Sequence, residues 1–348
     1  MCLSPVSQGF VLLLFIKADI LRYKNPYYNP HKSHHTPRGF QNPEPLHIPL
    51  KRVAKWLHER WTSKTSRLPE GGYEQFIQDW MIEPDFSHNG NFVNWLGHCT
   101  LYFKLDDIAI ITDPVFSERA SFLSWVGPKR QTPVLAQIEQ LPCLHYVLIS
   151  HEHYDHLDWL TIQKLLQHFP NLTFIVPLGL ERWFHHKGIH NVIALDWWDQ
   201  YDINNDLAIT ATPAQHWSNR DPFSRNRNLW CGYMITHKSK NHYFAGDTAY
   251  AKNLLEIGER FDIDYGYMPI GCYSPEWFMG YQHISPKDSV RLHVELGIQQ
   301  SVGVHWGVFE LGDEPFDDTP IQVQNAIATY DNPPIFKVVP INTTMKLE

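Results

Sequence analysis

Disulfide chemistry is the first thing this 348-residue chain does without. Its five cysteines, Cys2, Cys99, Cys143, Cys231 and Cys272, form no CxxC pair, and an odd number leaves no disulfide framework. That usage suits a reducing compartment. Long apolar runs are missing too. No stretch reaches the 18 or so apolar residues that a membrane-spanning helix needs, so none is expected. The run 10–16 has the look of a short signal-peptide core. Yet no Lys or Arg precedes it and no small-x-small cleavage pattern follows soon, so a signal peptide is not expected. Positive charge is scarce as well: 29 Lys and Arg stand against 37 Asp and Glu, a net charge of −8. Without a basic stripe, nucleic acid is excluded as a partner. No internal repeat is visible. The expected location is cytoplasmic or at a membrane periphery, with peripheral contact through the apolar N-terminal run kept open.

What the chain has instead is apolar bulk and histidine. Hydrophobic residues make up 43% and aromatics 14%, with 13 Trp and 19 Phe, which supplies a packed core and material for apolar pocket walls. Among the 21 histidines, three fall within His151-Glu152-His153-Tyr154-Asp155-His156, straight after the apolar run 146–150. That run reads as a buried strand, so the polar cluster falls where the strand leaves its sheet. Imidazole nitrogen and carboxylate oxygen suit Zn²⁺, with Fe and Mn as alternatives. His151 and His153 can converge on one ion while Asp155 and His156 turn toward a second. Leaving so many buried polar groups unpaired would be costly.

A two-metal site needs further ligands, and they stand in matching contexts. His216 follows the strand-like run 207–213. Asp247 ends the short run 243–247, and His305 follows 301–304. Each lies just past a predicted strand, where open α/β sheets place their ligands. His31, His34 and His35 form a short His-rich tract that reads as a solvated loop, with adventitious metal binding as the alternative.

Several segments narrow the reading: Trp95-Leu96-Gly97-His98-Cys99-Thr100, Thr112-Asp113-Pro114, Gly127-Pro128-Lys129-Arg130, Leu195-Asp196-Trp197-Trp198, Gly246-Asp247-Thr248, Tyr281-Gln282-His283 and His305-Trp306-Gly307. With the HxHxDH cluster they resemble the metallo-β-lactamase-fold hydrolases. Within these they are most similar to the branch containing N-acyl-phosphatidylethanolamine-hydrolysing phospholipase D. The resemblance covers roughly residues 90 to 310. Cys99 stands where a small residue is common, and the first 40 residues match poorly. The resemblance implies an α/β fold, an αββα sandwich of two mixed sheets flanked by helices. It implies two Zn²⁺ ions. His151, His153 and His216 would hold one, Asp155, His156 and His305 the other, and Asp247 would bridge them. Asp113 would orient a ligand histidine through its free N–H. Asp155, Asp247 and His283 carry the catalytic roles, and Tyr154, Trp217, Gln282 and His283 the substrate contacts.

Along the chain, residues 1–50 read as a partly extended N-terminal arm and 51–348 as a single catalytic domain whose strands begin near Asn91. A helix is expected over 51–62, with Val53, Leu57 and Trp61 on one face and Trp56 beside them. Strands are expected at 92–97, 100–105, 108–112 and 173–176, and helices at 159–168 and 178–185. Ser285 reads as an N-cap before Pro286, with the helix stopping at Gly297. His283, just before that cap, either faces a phosphate or packs in its loop. Arg225 and Arg227 either recognise phosphate or are plain surface charges. The aromatics at 116–125, with Trp197, Trp198, Trp277 and Phe278, are expected to wall an acyl-chain pocket.

The expected function is zinc-dependent hydrolysis of a phospholipid diester in the manner of phospholipase D. Two ions about 3.5–4 Å apart would hold the attacking hydroxide. The alternative enzyme acts on carboxylic esters, lactones or amides, since the same nucleophile attacks carbonyl carbon. The non-enzyme alternative is a metal-binding sensor or scaffold. Oligomeric state is left open, a homodimer included.

Overall fold

Strict alternation along four consecutive strands builds the centre of the molecule. The computed structural model describes residues 23–44, 50–62, 67–123, 125–221 and 223–347. The apolar run 10–16 lies outside them. The described chain begins with β1 (His35–Thr36), β2 (Gly39–Phe40), α1 (Leu50–Thr62) and α2 (Gly72–Trp80). Then come β3 (Phe92–Gly97), β4 (Thr100–Leu105), β5 (Ile108–Thr112), β6 (Tyr146–Leu148), α3 (Trp159–His168), β7 (Thr173–Pro177), α4 (Glu181–His186) and β8 (Val192–Leu195). The second half holds β9 (Gln200–Asn204), β10 (Leu207–Thr212), β11 (Gly232–His237), β12 (Lys240–Phe244), α5 (Leu255–Arg260), β13 (Tyr265–Pro269), α6 (Glu276–Met279) and α7 (Pro286–Glu295). It closes with β14 (Gln300–Val304), α8 (Asp318–Ile327), β15 (Phe336–Lys337) and β16 (Thr344–Lys346).

Two seven-stranded sheets result, in the orders β16-β3-β4-β5-β6-β7-β8 and β15-β14-β13-β12-β11-β10-β9. Both are mixed. β5 to β8 pair in parallel while β3, β4 and β16 pair antiparallel. In the second sheet β12 to β15 are parallel and β9 to β12 antiparallel.

Side chains at alternate positions face opposite sides of a strand. Leu101, Phe103, Ile110, Leu148 and Ile175 accordingly meet Ile209, Tyr233, Ile235 and Tyr267 of the second sheet. Their neighbours Tyr102, Ala109, Ile111, Val147, Phe174 and Val176 face outward, under Ile162 and Leu165 of α3 and Phe184 of α4. Each fully buried Val, Leu, Ile or Phe side chain among these contributes about 1.5–3 kcal/mol through removal from water. The Tyr233 hydroxyl donates to the Ile149 carbonyl (2.8 Å) and ties one sheet to the other. The architecture is the expected αββα sandwich.

α7 starts as its sequence dictates. Ser285 caps it by accepting from the Asp288 amide, Pro286 occupies the first turn, and Gly297 follows at φ 67°. α1 departs from expectation. Val53 and Trp56 pack on Phe278 and Met279, but Leu57 is 54% and Trp61 88% exposed, so half of the anticipated apolar face points to solvent. Among the described residues no helix is long and apolar enough to cross a membrane.

The arm corrects a second expectation. His34 and His35 are buried, not solvated. Their Nε2 atoms lie 2.7 and 2.8 Å from the two oxygens of Asp196, and Lys32 Nζ lies 2.6 Å from the second oxygen. His34 stacks on Trp197, which is core and no pocket wall. Phe278 is likewise core, stacked on Trp56.

Candidate metal centre

The predicted ligands arrive from both sheets at one rim. His151, His153, Asp155 and His156 sit on the turn after β6, His216 follows β10, Asp247 follows β12, and His305 directly follows β14. Two close approaches need glycine. A Cβ on Gly246 would lie 2.8 Å from the Ser150 Cβ, and one on Gly271 would lie 2.2 Å from the His305 carbonyl oxygen. Three residues of the rim hold left-handed backbone: His98 (φ 52°), Asp113 (φ 36°) and His305 (φ 61°). Such conformations cost about 1–3 kcal/mol each and cluster at functional sites.

All seven predicted ligands come together, in two groups. In the first, His153 Nδ1 lies 2.8 Å from His151 Nε2 and 3.2 Å from His216 Nε2. In the second, His156 Nε2 and His305 Nε2 lie 3.3 and 3.6 Å from Asp155 Oδ2. Asp247 stands between. Its Oδ2 is 3.8 and 3.7 Å from His151 and His216 and 3.1 Å from His156, and its Oδ1 is 2.9 Å from His305.

The outward nitrogens are mostly taken. His156 Nδ1 lies 2.7 Å from Asp113 Oδ2, and His216 Nδ1 lies 2.8 Å from the Gln282 carbonyl. His151 Nδ1 lies 2.9 Å from Ser150 Oγ, whose own proton goes to Asp113 Oδ2 at 2.5 Å. One carboxylate thus orients a histidine in each group. With Nδ1–H donated outward, Nε2 of these three rings presents a lone pair inward.

Zn²⁺ binds nitrogen and oxygen donors at about 2.0–2.2 Å, so donors sharing an ion sit roughly 3–3.5 Å apart. The observed spacings match. Moreover, His156 Nε2, His305 Nε2 and Asp247 Oδ1 are buried without a hydrogen-bond partner, a costly state that a cation would relieve. The residues present therefore fit a pair of divalent ions.

Electrostatics agree. Burial pushes His151 and His216 well below the usual imidazole range and His153 down to about 4, which favours the neutral form that binds metal. For His156 and His305 burial acts the same way, but Asp247 and Asp155 overcome it; His156 is held well above the usual range and His305 up to about 9. The pull of the two carboxylates on these rings marks the place where cationic charge is called for. Asp155 and Asp247 are held far below the carboxylate range despite burial, chiefly by His156.

The residues expected to touch substrate lie around the donors, and of them Tyr154 alone lines the cleft described below. His283 Nδ1 lies 3.8 Å from Asp247 Oδ2, its ring between those of His216 and His305. Trp217 covers His153 at 4.4 Å between ring centres. Gln282 acts through its main-chain carbonyl, while its side-chain amide turns to Met279 Sδ. The Tyr154 hydroxyl donates to the Arg220 carbonyl, and the Arg220 guanidinium lies 4.1 Å above the Tyr154 ring. Arg225 stacks over Trp217 and Arg227 over Tyr23.

A cleft of about 1310 Å³ opens beside the donors, lined by Phe122, Trp125, Tyr154, Trp159, Trp183 and Arg220 among others. Tyr154 and Glu152 join it to the turn after β6, and the donor histidines themselves do not line it. Phe122 and Trp125 are 71% and 73% exposed there, so part of the expected aromatic wall is present.

Four residues were not anticipated. His98 lies with Asp155, His156 and His305 in one donor cluster. Cys99 is within reach of His156, Asp247 and His305, and burial pushes its thiol far up. Glu152 accepts from Ser218 Oγ (3.0 Å) and Asn228 Nδ2 (2.7 Å), tying the His216 loop to the metal turn. Asn42 of the arm donates to the His216 carbonyl (2.8 Å). His98 alone had a readable signal, because it too follows a strand.

A model of the β-lactamase superfamily domain matches residues 109–306. An N-acyl-phosphatidylethanolamine-hydrolysing phospholipase D of Caenorhabditis elegans is 37% identical over 65% of this chain and 66% of its own length. A mitochondrial counterpart from Saccharomyces cerevisiae is 38% identical over 64% of this chain and 48% of its own. The match therefore spans from about half to just under two thirds of these relatives. Among solved structures, a metallo hydrolase from the archaeon Ignicoccus hospitalis aligns at a TM-score of 0.56 with 17% identity, over 74% of this chain and 99% of that one. It shares the fold.

Proposed function

Because this chain belongs to the β-lactamase superfamily, we propose that it is a binuclear zinc phosphodiesterase of the phospholipase D type, cleaving N-acyl-phosphatidylethanolamine or a related phospholipid. The observation that carries the reading is a two-part His/Asp donor set whose turn, through Glu152 and Tyr154, also lines an aromatic cleft of about 1310 Å³. Small-molecule pockets run to about 300–1,000 Å³, so this cleft has room for acyl chains. The activity named for the worm and yeast relatives agrees.

In this reading His151, His153 and His216 hold one ion, and Asp155, His156 and His305 the other, with Asp247 between them. When bound, such a pair supplies a nucleophilic water at neutral pH and neutralises charge that develops at phosphorus. The chain's own groups do the rest. Asp113 fixes His156 directly and His151 through Ser150. His283 lies beside Asp247 and is held down to about 4 by burial, so in this reading it meets the leaving alcohol as a neutral hydrogen-bonding group. Arg220 supplies positive potential where the cleft meets the metal turn.

Peripheral membrane contact belongs to the same proposal. α1 presents exposed Leu57 and Trp61 alongside Lys51 and Lys55, the composition of a helix that lies in a lipid interface.

The test is turnover of long-chain N-acyl-phosphatidylethanolamine in detergent micelles by zinc-loaded protein, with phosphatidic acid followed by mass spectrometry. The diester should be cleaved faster than a lactone or a β-lactam. A markedly higher second-order rate on the lactone, without diester cleavage, would replace this reading with carbonyl hydrolysis.

A further inference from the structure

His98 occupies the two-residue turn between β3 and β4, in left-handed backbone and 2% exposed. Its carbonyl accepts from the His305 amide (2.9 Å) and from Trp95 Nε1 (2.8 Å). Its Nε2 lies 3.1 Å from Asp155 Oδ2, and its Nδ1 has no partner. These contacts settle the tautomer. A proton on Nδ1 would leave a bare Nε2 lone pair against a carboxylate oxygen, whereas a proton on Nε2 makes a hydrogen bond to an acceptor-only group. The ring is wedged between His305 (4.1 Å between centres) and the edge of Phe309.

We propose that His98 is a positioning residue for the second ion: its Nε2–H holds the Asp155 carboxylate in its coordinating orientation while its carbonyl holds His305. The proposal rests on the two-ion reading of the centre and adds to it a residue outside the ligand set. The same turn thereby governs two of that ion's three terminal ligands. Direct ligation is the competing role, since Nε2 also falls among the donors of that group. A hydrogen-bond donor and a ligand differ in what can replace them. A glutamine amide can donate to Asp155 from a similar reach, but it is a poor zinc ligand. A leucine keeps the bulk against Phe309 and loses the donor.

The experiment compares wild type, His98→Gln and His98→Leu by graded chelation with elemental analysis of zinc, alongside far-ultraviolet circular dichroism of each apo-protein. Loss of a supporting contact around a metal ligand typically costs about 10–100-fold in affinity. His98→Leu should therefore release one of its two ions at chelator concentrations about 10–100-fold lower than wild type, the other ion and the apo-fold being unchanged. His98→Gln should fall close to wild type. A His98→Gln protein as weak as His98→Leu would overturn the positioning role in favour of ligation. A His98→Leu protein that keeps both ions at wild-type affinity, or loses them only because it no longer folds, would overturn it in favour of packing. A wild-type protein that binds no zinc would instead overturn the centre itself, and this role with it.

Discussion

Asp247 is the residue on which both donor groups depend, because its two oxygens face histidines of each. Asp247→Asn keeps the shape and removes the charge that offsets two cations. The variant should fold and lose activity by several orders of magnitude, with zinc content falling below two ions per chain in elemental analysis. Unchanged metal and rate would show that Asp247 does not bridge. Asp113→Asn acts one step away, through Ser150 and His156. Its expected cost is smaller, about 10–100-fold in zinc affinity or activity, read by the same titration. The seven residues that meet at the rim were legible because they stand just past apolar runs, where a polar residue has no packing reason to be. Glu152 and Asn42 were not legible. Their partners Ser218, Asn228 and His216 lie far along the chain, and no local pattern announces such contacts.

At the scale of elements, β3, β4, β5 and α3 fall within the limits expected from sequence, because alternation and Asp106-Asp107 mark their ends plainly. β9 is polar and lies at a sheet edge, and β16 exists only by pairing with β3 from the other end of the chain, so neither had a signal of its own. The arm was misread for the same reason: the acidic partner that draws His34 and His35 inward is Asp196, supplied after β8. Burial alone would raise the Asp196 carboxyl, but His34, Lys32 and His35 hold it below the ordinary range. A depressed folded value contributes stability above the unfolded value, near 3.9, and that contribution is lost as pH falls below it. Asp196→Asn should accordingly be less stable at pH 7 by about 1–3 kcal/mol. In urea titrations the gap should narrow as pH drops below about 4. A gap that stays constant into acid would mean the clamp acts by packing and not by charge. α1 offers a separate test. Replacing Leu57 and Trp61 by serine should weaken sedimentation with anionic vesicles about tenfold or more, since burying one large apolar side chain is worth about 1.5–3 kcal/mol. Turnover of a short-chain soluble diester should not change. Vesicle binding equal to wild type would remove α1 from the membrane surface.

Over the whole molecule, the two sheets meet face to face, and the centre is assembled only where their rims coincide. Four of the seven donors, His151, His153, Asp155 and His156, sit on the turn after β6 of the first sheet. His216, Asp247 and His305 come from the second sheet. Sequence resemblance could name these residues, but only the packing shows the aromatic cleft beside the donors and the way Asp113 serves both groups. The central claim is that this assembly directs water at phosphorus. The most direct measurement is hydrolysis of N-acyl-phosphatidylethanolamine by the zinc-loaded protein in water enriched in heavy oxygen, with both products analysed by mass spectrometry. The account predicts one heavy oxygen in the phosphate of the released phosphatidic acid and none in the N-acylethanolamine. Label in a released fatty acid, with the phosphodiester intact, would show attack at carbonyl carbon and contradict it.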